Sequence, residues 1–550
     1  MKAQPSERAV PMLPARRPRT GIGPVILLLL LLALAAAAFG SHVVHGGFYS
    51  DDWAISELET QRGYWGSVDA LFDVLGSKPV LAVLLPIPHA LFGSTTELHL
   101  ALAAVLSVLT SASFYLLLRT LGLEHRHAGP IAALSLLFPW ADSTRLWATA
   151  SINNVAVILY LLGVVTALRG LAHSGHRSVL MHAGAVTLYV LSVLTYELAA
   201  VAALASVLLY RYRSSWRRAL TRWAADVLAI GAALAYTAAT TVKHVAPLDD
   251  QVVNAAKMAR GAASLVAAAF LPVGDPPRLV VGLALLLLVA TAALVVRRGN
   301  ADDPAVAELR RWLLVAAAAV GGTAAAYAML VPAASFTPLL PGLENRINLL
   351  AAPAIVTLVY ALLMIAALLA FRRVRPWRRW SLYAATAATV LLAVGYAVRL
   401  ADDEDAWEHA AKEQQRVLAV MHEAVPQPPA GGTIYTFGQL GEAGPRVPVF
   451  YATWDLTSAA RLLWRDFELD AYPAFQRARF ACRRRGVLPQ RLPTPYGDLD
   501  PRDNSADPAV PYGDAVFVDI RTRSHEVIDD RSECLAAIRR FRPGAFRNEG

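Results

Sequence analysis

The chain has 550 residues, 56% of them apolar and 17% charged, with a mean hydropathy of +0.43 and a formal net charge of +9. This balance excludes a soluble globular protein, because apolar runs recur at lengths near the roughly 20 residues a bilayer-spanning helix needs. The positive charge is no nucleic-acid footprint, since the bases sit in short loops between apolar runs.

Residues 1–20 form a basic tail carrying Arg16, Arg17 and Arg19, and 22–39 is almost unbroken Leu, Ala, Ile and Val. That run is longer than a signal-peptide core and many more follow it, so it reads as a retained helix. Directly after it comes Phe48-Tyr49-Ser50-Asp51-Asp52-Trp53, two adjacent acids flanked by aromatic rings that favour the membrane–water interface. Within the loop 42–96, residues 54–74 and 80–92 read as two amphipathic helices on the membrane surface, the second dipping toward the bilayer. A spanning helix at 80–92 is the competing reading.

Further spans are expected at 98–118, 130–140, 155–167, 180–194, 199–210, 224–241, 279–296, 312–331, 349–370 and 382–398, about eleven in all. Bases gather in alternate loops: Arg119 and Arg126, Arg169 and Arg177, Arg211 to Arg218, Arg297 to Arg311, and Arg372 to Arg379. The intervening loops hold Asp51, Asp52, Asp249 and Asp250. This alternation places the N-terminus in the cytoplasm and the acids outside the cell membrane. An odd number of spans puts the C-terminus outside as well.

From 401 onward the apolar spans stop. Residues 406–424 read as an amphipathic helix, ended by Pro426-Gln427-Pro428-Pro429-Ala430-Gly431-Gly432. Strands are expected at 433–437, 447–451 and 515–520, a helix at 456–463 and an extended loop over 496–512. The result is a small extracytoplasmic α/β domain over 401–550, after a membrane domain over 21–400. Both cysteines of the chain, Cys482 and Cys534, fall in it. In an oxidising compartment they form one disulfide, with two free thiols as the alternative.

Several residues are candidates for chemistry. A carboxylate of the Asp51-Asp52 pair suits a general base toward a hydroxyl, its neighbour raising its pKa or orienting it. An Asp before a helix also caps it, and both readings fit the pair. Glu197, an acid between apolar segments, is a functional-site candidate by default, or an exposed hairpin residue. Arg145, Arg346 and Lys243, at helix ends on the acidic side, suit a phosphate group, or snorkelling and helix-end ion pairs. Trp53 joins them as a substrate-binding candidate. Walker A, dinucleotide glycine, HExxH and paired CxxC patterns are absent. His42 and His45 beside the Asp pair are too little to indicate a metal, and no cofactor is expected.

The layout resembles the GT-C superfamily of polytopic glycosyltransferases, in the branch of protein O-mannosyltransferases and aminoarabinose transferases. The resemblance rests on Ser50-Asp51-Asp52-Trp53 after the first helix, on Phe138-Pro139-Trp140 with Trp147, and on Tyr196-Glu197. Gly342-Leu343-Glu344-Asn345-Arg346 and Trp407 with Gln414-Gln415 add to it. It implies a multi-pass enzyme that moves a sugar from a polyprenyl-phosphate donor to a glycan, lipid or protein acceptor at the outer face, with inversion and without nucleic acid. Asp51 is then the base, Asp52 its support and Arg346 the phosphate partner, with Arg145 or Lys243 as alternates. Asp-Asp stands where several relatives have Asp-Glu, and the C-terminal domain matches no named module. A lipid-linked glycan flippase and a non-enzymatic scaffold of the cell envelope are the alternatives. Near-absence of ionisable residues within the spans disfavours the flippase.

Overall fold

A computed structural model describes residues 23–240, 246–274, 277–300, 302–332, 337–475, 478–494, 497–499 and 509–541. Among them, eight helices are long and apolar enough to cross a bilayer: Gly23–His45, Thr96–Thr120, Ala148–Leu171, Gly175–Thr195, Arg278–Arg298, Pro304–Ala328, Ala352–Phe371 and the first part of Trp377–Ala424. The protein is a multi-pass helical membrane protein with a small α/β domain at its C-terminal end. Arg278–Arg298 buries only Ala292 and exposes Leu279, Leu283, Leu286 and Leu287. A helix apolar on every side and unburied by protein faces lipid. Ala352–Phe371 is as apolar but lies in the bundle centre, where Tyr360 bonds His127 Nδ1 at 2.9 Å.

Three expected spans take shorter or more polar forms. Residues 130–140 fall in a 12-residue helix, His125–Leu136, and a turn at Pro139–Ala141. At 1.5 Å per residue this helix covers about 18 Å, well short of the hydrocarbon thickness. Residues 199–210 divide at Ser206 into Ala200–Ala205 and Val207–Arg213. Of the span expected at 224–241, residues 224–239 belong to Trp216–Ala239, whose first turns carry Arg217, Arg218, Arg222 and the buried Asp226, and residue 241 lies outside the described residues. A further amphipathic helix, Leu248–Phe270, follows it.

In the first loop, Asp51–Leu75 is bent at Gly63, whose φ is 66°. The 80–92 segment is two short helices, Pro79–Leu84 and Pro86–Phe92, each with proline in its first turn. Together they are about 21 Å long, too short to span. Leu81, Ala82 and Leu85 pack with Ile55, Leu71, Leu106 and Ile152, joining these helices to the bundle.

Trp377–Ala424 is one continuous 48-residue helix, so the expected span at 382–398 and the expected surface helix at 406–424 are a single rod. It is about 72 Å long, roughly twice what a bilayer core requires. The charged stretch Asp402 to Asp405 does not break it, because no proline intervenes and Arg399 pairs with Asp403 at 3.2 Å. The far half carries the C-terminal domain.

That domain is built on a four-stranded sheet ordered Ser524–Val527, Ala515–Asp519, Thr433–Phe437 and Asp470–Ala474. The last three are parallel and the first is antiparallel. Thr453–Trp464 is the crossover helix of the parallel pair formed by Thr433–Phe437 and Asp470–Ala474. The strand expected at 447–451 shrinks to Val447–Pro448, paired with Glu442–Gly444. The crossover helix docks on Asp51–Leu75: Ser458 Oγ donates to Glu57 at 3.2 Å, and Arg461 pairs with Glu57 at 3.4 Å and Asp470 at 3.0 Å.

Cys482, on the strand Arg479–Cys482, is disulfide-bonded to Cys534, on the helix Arg531–Arg540. The bridge closes a chain separation of 52 residues. By loop-closure entropy it is expected to stabilise the domain by about 4 kcal/mol. Denaturant titration of the purified protein with and without reductant checks this, and an unchanged domain transition on reduction would contradict it.

Candidate functional site

The two neighbouring aspartates have separate environments. Asp52 is fully buried. Its Oδ1 accepts from Thr149 N at 2.7 Å and from Thr149 Oγ1, and its Oδ2 accepts from Tyr49 N at 3.0 Å. Burial pushes its carboxyl up to about 7, while the Thr149 and Tyr49 donors favour the ionised form. Asp52 therefore braces the Tyr49–Asp52 turn that leads into its helix and ties it to the Ala148–Ser151 turn. Tyr49 is itself fixed by its hydroxyl, which donates to Trp407 O at 2.8 Å. Asp52→Ala leaves the buried Tyr49 N–H and the half-buried Thr149 N–H and Oγ1–H without their acceptor and is expected to cost about 1–3 kcal/mol. A thermal melt of the detergent-purified variant checks it, and an unchanged melting temperature would refute the bracing role.

Asp51 is only partly buried. Its Oδ1 accepts from Trp454 Nε1 at 3.0 Å and, more weakly, from Ser50 Oγ at 3.4 Å. Its Oδ2 makes no hydrogen bond among the described residues. The preceding Ser50 has φ 49° and ψ −113°, a conformation costly for a non-glycine residue. Contact of its hydroxyl with Tyr451 OH at 3.1 Å holds it there. Burial raises the Asp51 carboxyl above the ordinary range, and the Arg346 charge is the main influence opposing that rise, followed by the Trp454 and Ser50 donors.

Arg346 lies in the 3-10 turn Gly342–Asn348. Buried asparagines on either side pin this turn. Asn345 Oδ1 accepts from Ser143 N at 3.1 Å and Ser143 Oγ at 2.6 Å, and Asn345 Nδ2 donates to Asp142. Asn348 donates to Trp140 O at 2.6 Å and Pro338 O at 2.8 Å and accepts from Tyr327 OH at 2.6 Å. Arg346 itself donates no hydrogen bond among the described residues. Its guanidinium carbon lies 5.2 Å from the ring centre of buried Trp147. Burial raises the Tyr196 and Tyr451 hydroxyls, and Arg346 is among the charges opposing it, so its field reaches both as well as Asp51.

Beside Tyr196, Glu197 pairs with Lys78 at 3.5 Å, and Lys78 Nζ sits 4.0 Å from the Tyr196 ring centre. Glu197 is thus one partner of an ion pair at the rim of the group. Arg145 is placed elsewhere: it is buried against the Phe39 ring and donates to Phe138 O at 2.6 Å and Ser135 O at 2.9 Å. Those bonds cap the end of His125–Leu136 and leave Arg145 a structural cation. Trp53 packs edge-on to Phe48 at 5.5 Å and near Phe450 at 6.2 Å. Lys243 lies outside the described residues. His42 Nε2 bonds Leu146 O at 2.7 Å, and among the described residues no three His, Cys, Asp or Glu side chains gather to hold a metal ion.

Asp51, Arg346 and Glu197 with Lys78 thus come from three distant stretches to one end of the bundle, the end where the C-terminal domain docks. Sequence reasoning missed Lys78, Tyr451 and Trp454. Lys78 carried a faint signal, being one of five lysines and standing directly before a Pro-led apolar helix. Nothing local marked Tyr451 and Trp454, which reach Ser50 and Asp51 respectively across some 400 residues of chain.

No family model matches the chain, and no curated protein matches it. It is similar to solved structures of ArnT and of an oligosaccharyltransferase. Crystal structures of ArnT from Cupriavidus metallidurans, apo and bound to undecaprenyl phosphate, share 12% and 11% identity with it at a TM-score of 0.36, over 82% of this chain and 86% of theirs. The Archaeoglobus fulgidus oligosaccharyltransferase, tethered to an acceptor peptide, shares 14% identity at a TM-score of 0.35, over 82% of this chain and 63% of its own. Likeness of this size assigns neither chemistry nor substrate.

Proposed function

We propose that the protein is a membrane glycosyltransferase that moves a sugar from a polyprenyl-phosphate donor to an acceptor hydroxyl at the outer face. The observation that carries this reading is a held but half-free carboxylate, Asp51, that lies within the field of Arg346, a cation whose guanidinium donates no hydrogen bond among the described residues. Asp51 Oδ2 takes the proton of the acceptor hydroxyl as its oxygen attacks the anomeric carbon. The bond from that carbon to the phosphate oxygen breaks, and the polyprenyl phosphate departs with the electron pair. Arg346, with Lys78 nearby, stabilises the negative charge that builds on the phosphate. Asp52, saturated with hydrogen bonds, keeps the loop in place and takes no part in proton transfer.

The outer location follows from the alternation of basic loops, which puts this end of the bundle opposite the arginine-rich one. The sugar and the acceptor class, whether glycan, lipid or protein, are not set by these residues. The test is reconstitution of the purified protein with lipid-linked sugars extracted from its native membranes. Release of free polyprenyl phosphate together with a glycosylated product is expected. Donor that crosses the bilayer uncleaved would favour a flippase and overturn the proposal.

A further inference from the structure

We infer that Trp454 is a positioning residue for Asp51, so that the carboxylate is aligned only while the C-terminal domain sits against the first loop. The inference rests on the reading of Asp51 as the base and adds a residue and a domain dependence to it. Rotation of a carboxylate about its last torsion is broad and roughly two-fold. A donor on one oxygen fixes that rotation and directs the lone pairs of the other. Trp454 Nε1, 3.0 Å from Oδ1, is placed to do this and leaves Oδ2 for a substrate.

The indole is not there to fill the core. Trp147, Trp312 and Trp407 are buried, whereas Trp454 is 45% exposed and fixed by its polar edge. Its backbone is rigidly held. Asp455, fully buried at the third position of the helix, reaches back to accept from Tyr451 N at 3.0 Å and Ala452 N at 3.2 Å. One and two turns further on, Ser458 and Arg461 fasten the same helix to Glu57 of the loop helix. Tyr451, at the head of the turn, meets the strained Ser50 next to Asp51. Two side chains of one clamped turn therefore reach two consecutive residues of the site. An N–H donor also favours the ionised carboxylate, in keeping with the downward influence of Trp454 on Asp51.

The test uses the full-length purified protein and Trp454→Phe, which keeps a ring and removes the N–H. A hydrophobic carbodiimide modifies protonated carboxyl groups, so the pH midpoint of Asp51 labelling, read by mass spectrometry, reports its ionisation without any substrate. The midpoint is expected to rise by about one pH unit in Trp454→Phe, and by less in Ser50→Ala, whose contact is longer. With the extracted lipid-linked donor, kcat is expected to fall about tenfold while KM stays within about twofold, and the acid limb of the profile moves with the labelling midpoint. An unshifted midpoint in Trp454→Phe overturns the inference. Should that variant not fold, Trp454→Met removes the same donor and is read the same way. Because labelling needs no turnover, it decides the contact even where full activity of Asp51→Asn shows the base assignment to be wrong.

Discussion

Asp51→Asn is expected to lower kcat by about 100- to 10,000-fold, the range for loss of a general base, with the melting temperature unchanged. The fold is indifferent to the change because asparagine keeps an oxygen to accept from Trp454 Nε1, and Oδ2 has no partner to lose among the described residues. The neighbouring position gives the opposite pattern, since the buried Asp52 satisfies three donors and its removal is read first in stability. On the proposed mechanism one residue carries chemistry and its neighbour carries structure. The acid side of the wild-type pH profile follows from the same environment. The base works only when ionised, so activity is present above the Asp51 pKa and lost as pH falls through it. Burial raises that pKa, so the acid limb lies at higher pH than for an ordinary carboxylate near 3.9. Full activity in a well-folded Asp51→Asn protein would remove Asp51 from the mechanism.

Arg346→Gln is expected to lower kcat by about 100- to 1,000-fold, the scale for losing one donor to charge that develops in a transition state. Arg346→Lys restores part of this, because an ammonium supplies charge without the planar two-donor face of a guanidinium. A second readout separates this role from mere packing on Trp147. Arg346 is the main charge opposing the raised Asp51 pKa, so its neutralisation moves the acid limb to higher pH. A packing residue would lower the melting temperature and leave that limb where it was. The pinned asparagines on either side keep the turn folded in the variant, so a loss of activity is not a loss of the loop.

Much of this organisation is legible in the chain before any coordinates. Apolar runs announce the bundle, and the charge alternation predicts which end carries the acids. The proline-led segment at 80–92 is ambiguous in sequence, because apolar content alone does not separate a short surface helix from a span. The length of Pro79–Phe92 decides the matter only once the helix ends are known. The single rod Trp377–Ala424 is hidden for the opposite reason: the four acids at 402–405 look like a boundary, yet a helix leaving a bilayer tolerates charge wherever proline is absent. Among site residues, Asp51 and Arg346 stand out as charges at the ends of apolar segments. The division of labour between Asp51 and Asp52 does not, because it depends on Thr149, nearly 100 residues away. Arg145 and Arg346 look alike in sequence, and only the backbone carbonyls around Arg145 separate them. Trp454 reaches the site through tertiary docking, for which the local sequence holds no sign.

The proposed reaction is a single direct displacement in which Asp51 deprotonates the acceptor and no enzyme carboxylate attacks the sugar. Asp52, the adjacent acid, is buried and fully hydrogen-bonded and cannot serve as a nucleophile for a two-step route. The anomeric configuration of the sugar before and after transfer, read by proton NMR of the isolated donor and product, tests this most directly. Inversion is the result predicted. Retention of configuration, in product formed by wild-type protein and absent with Asp51→Asn, would contradict direct displacement and require a covalent intermediate.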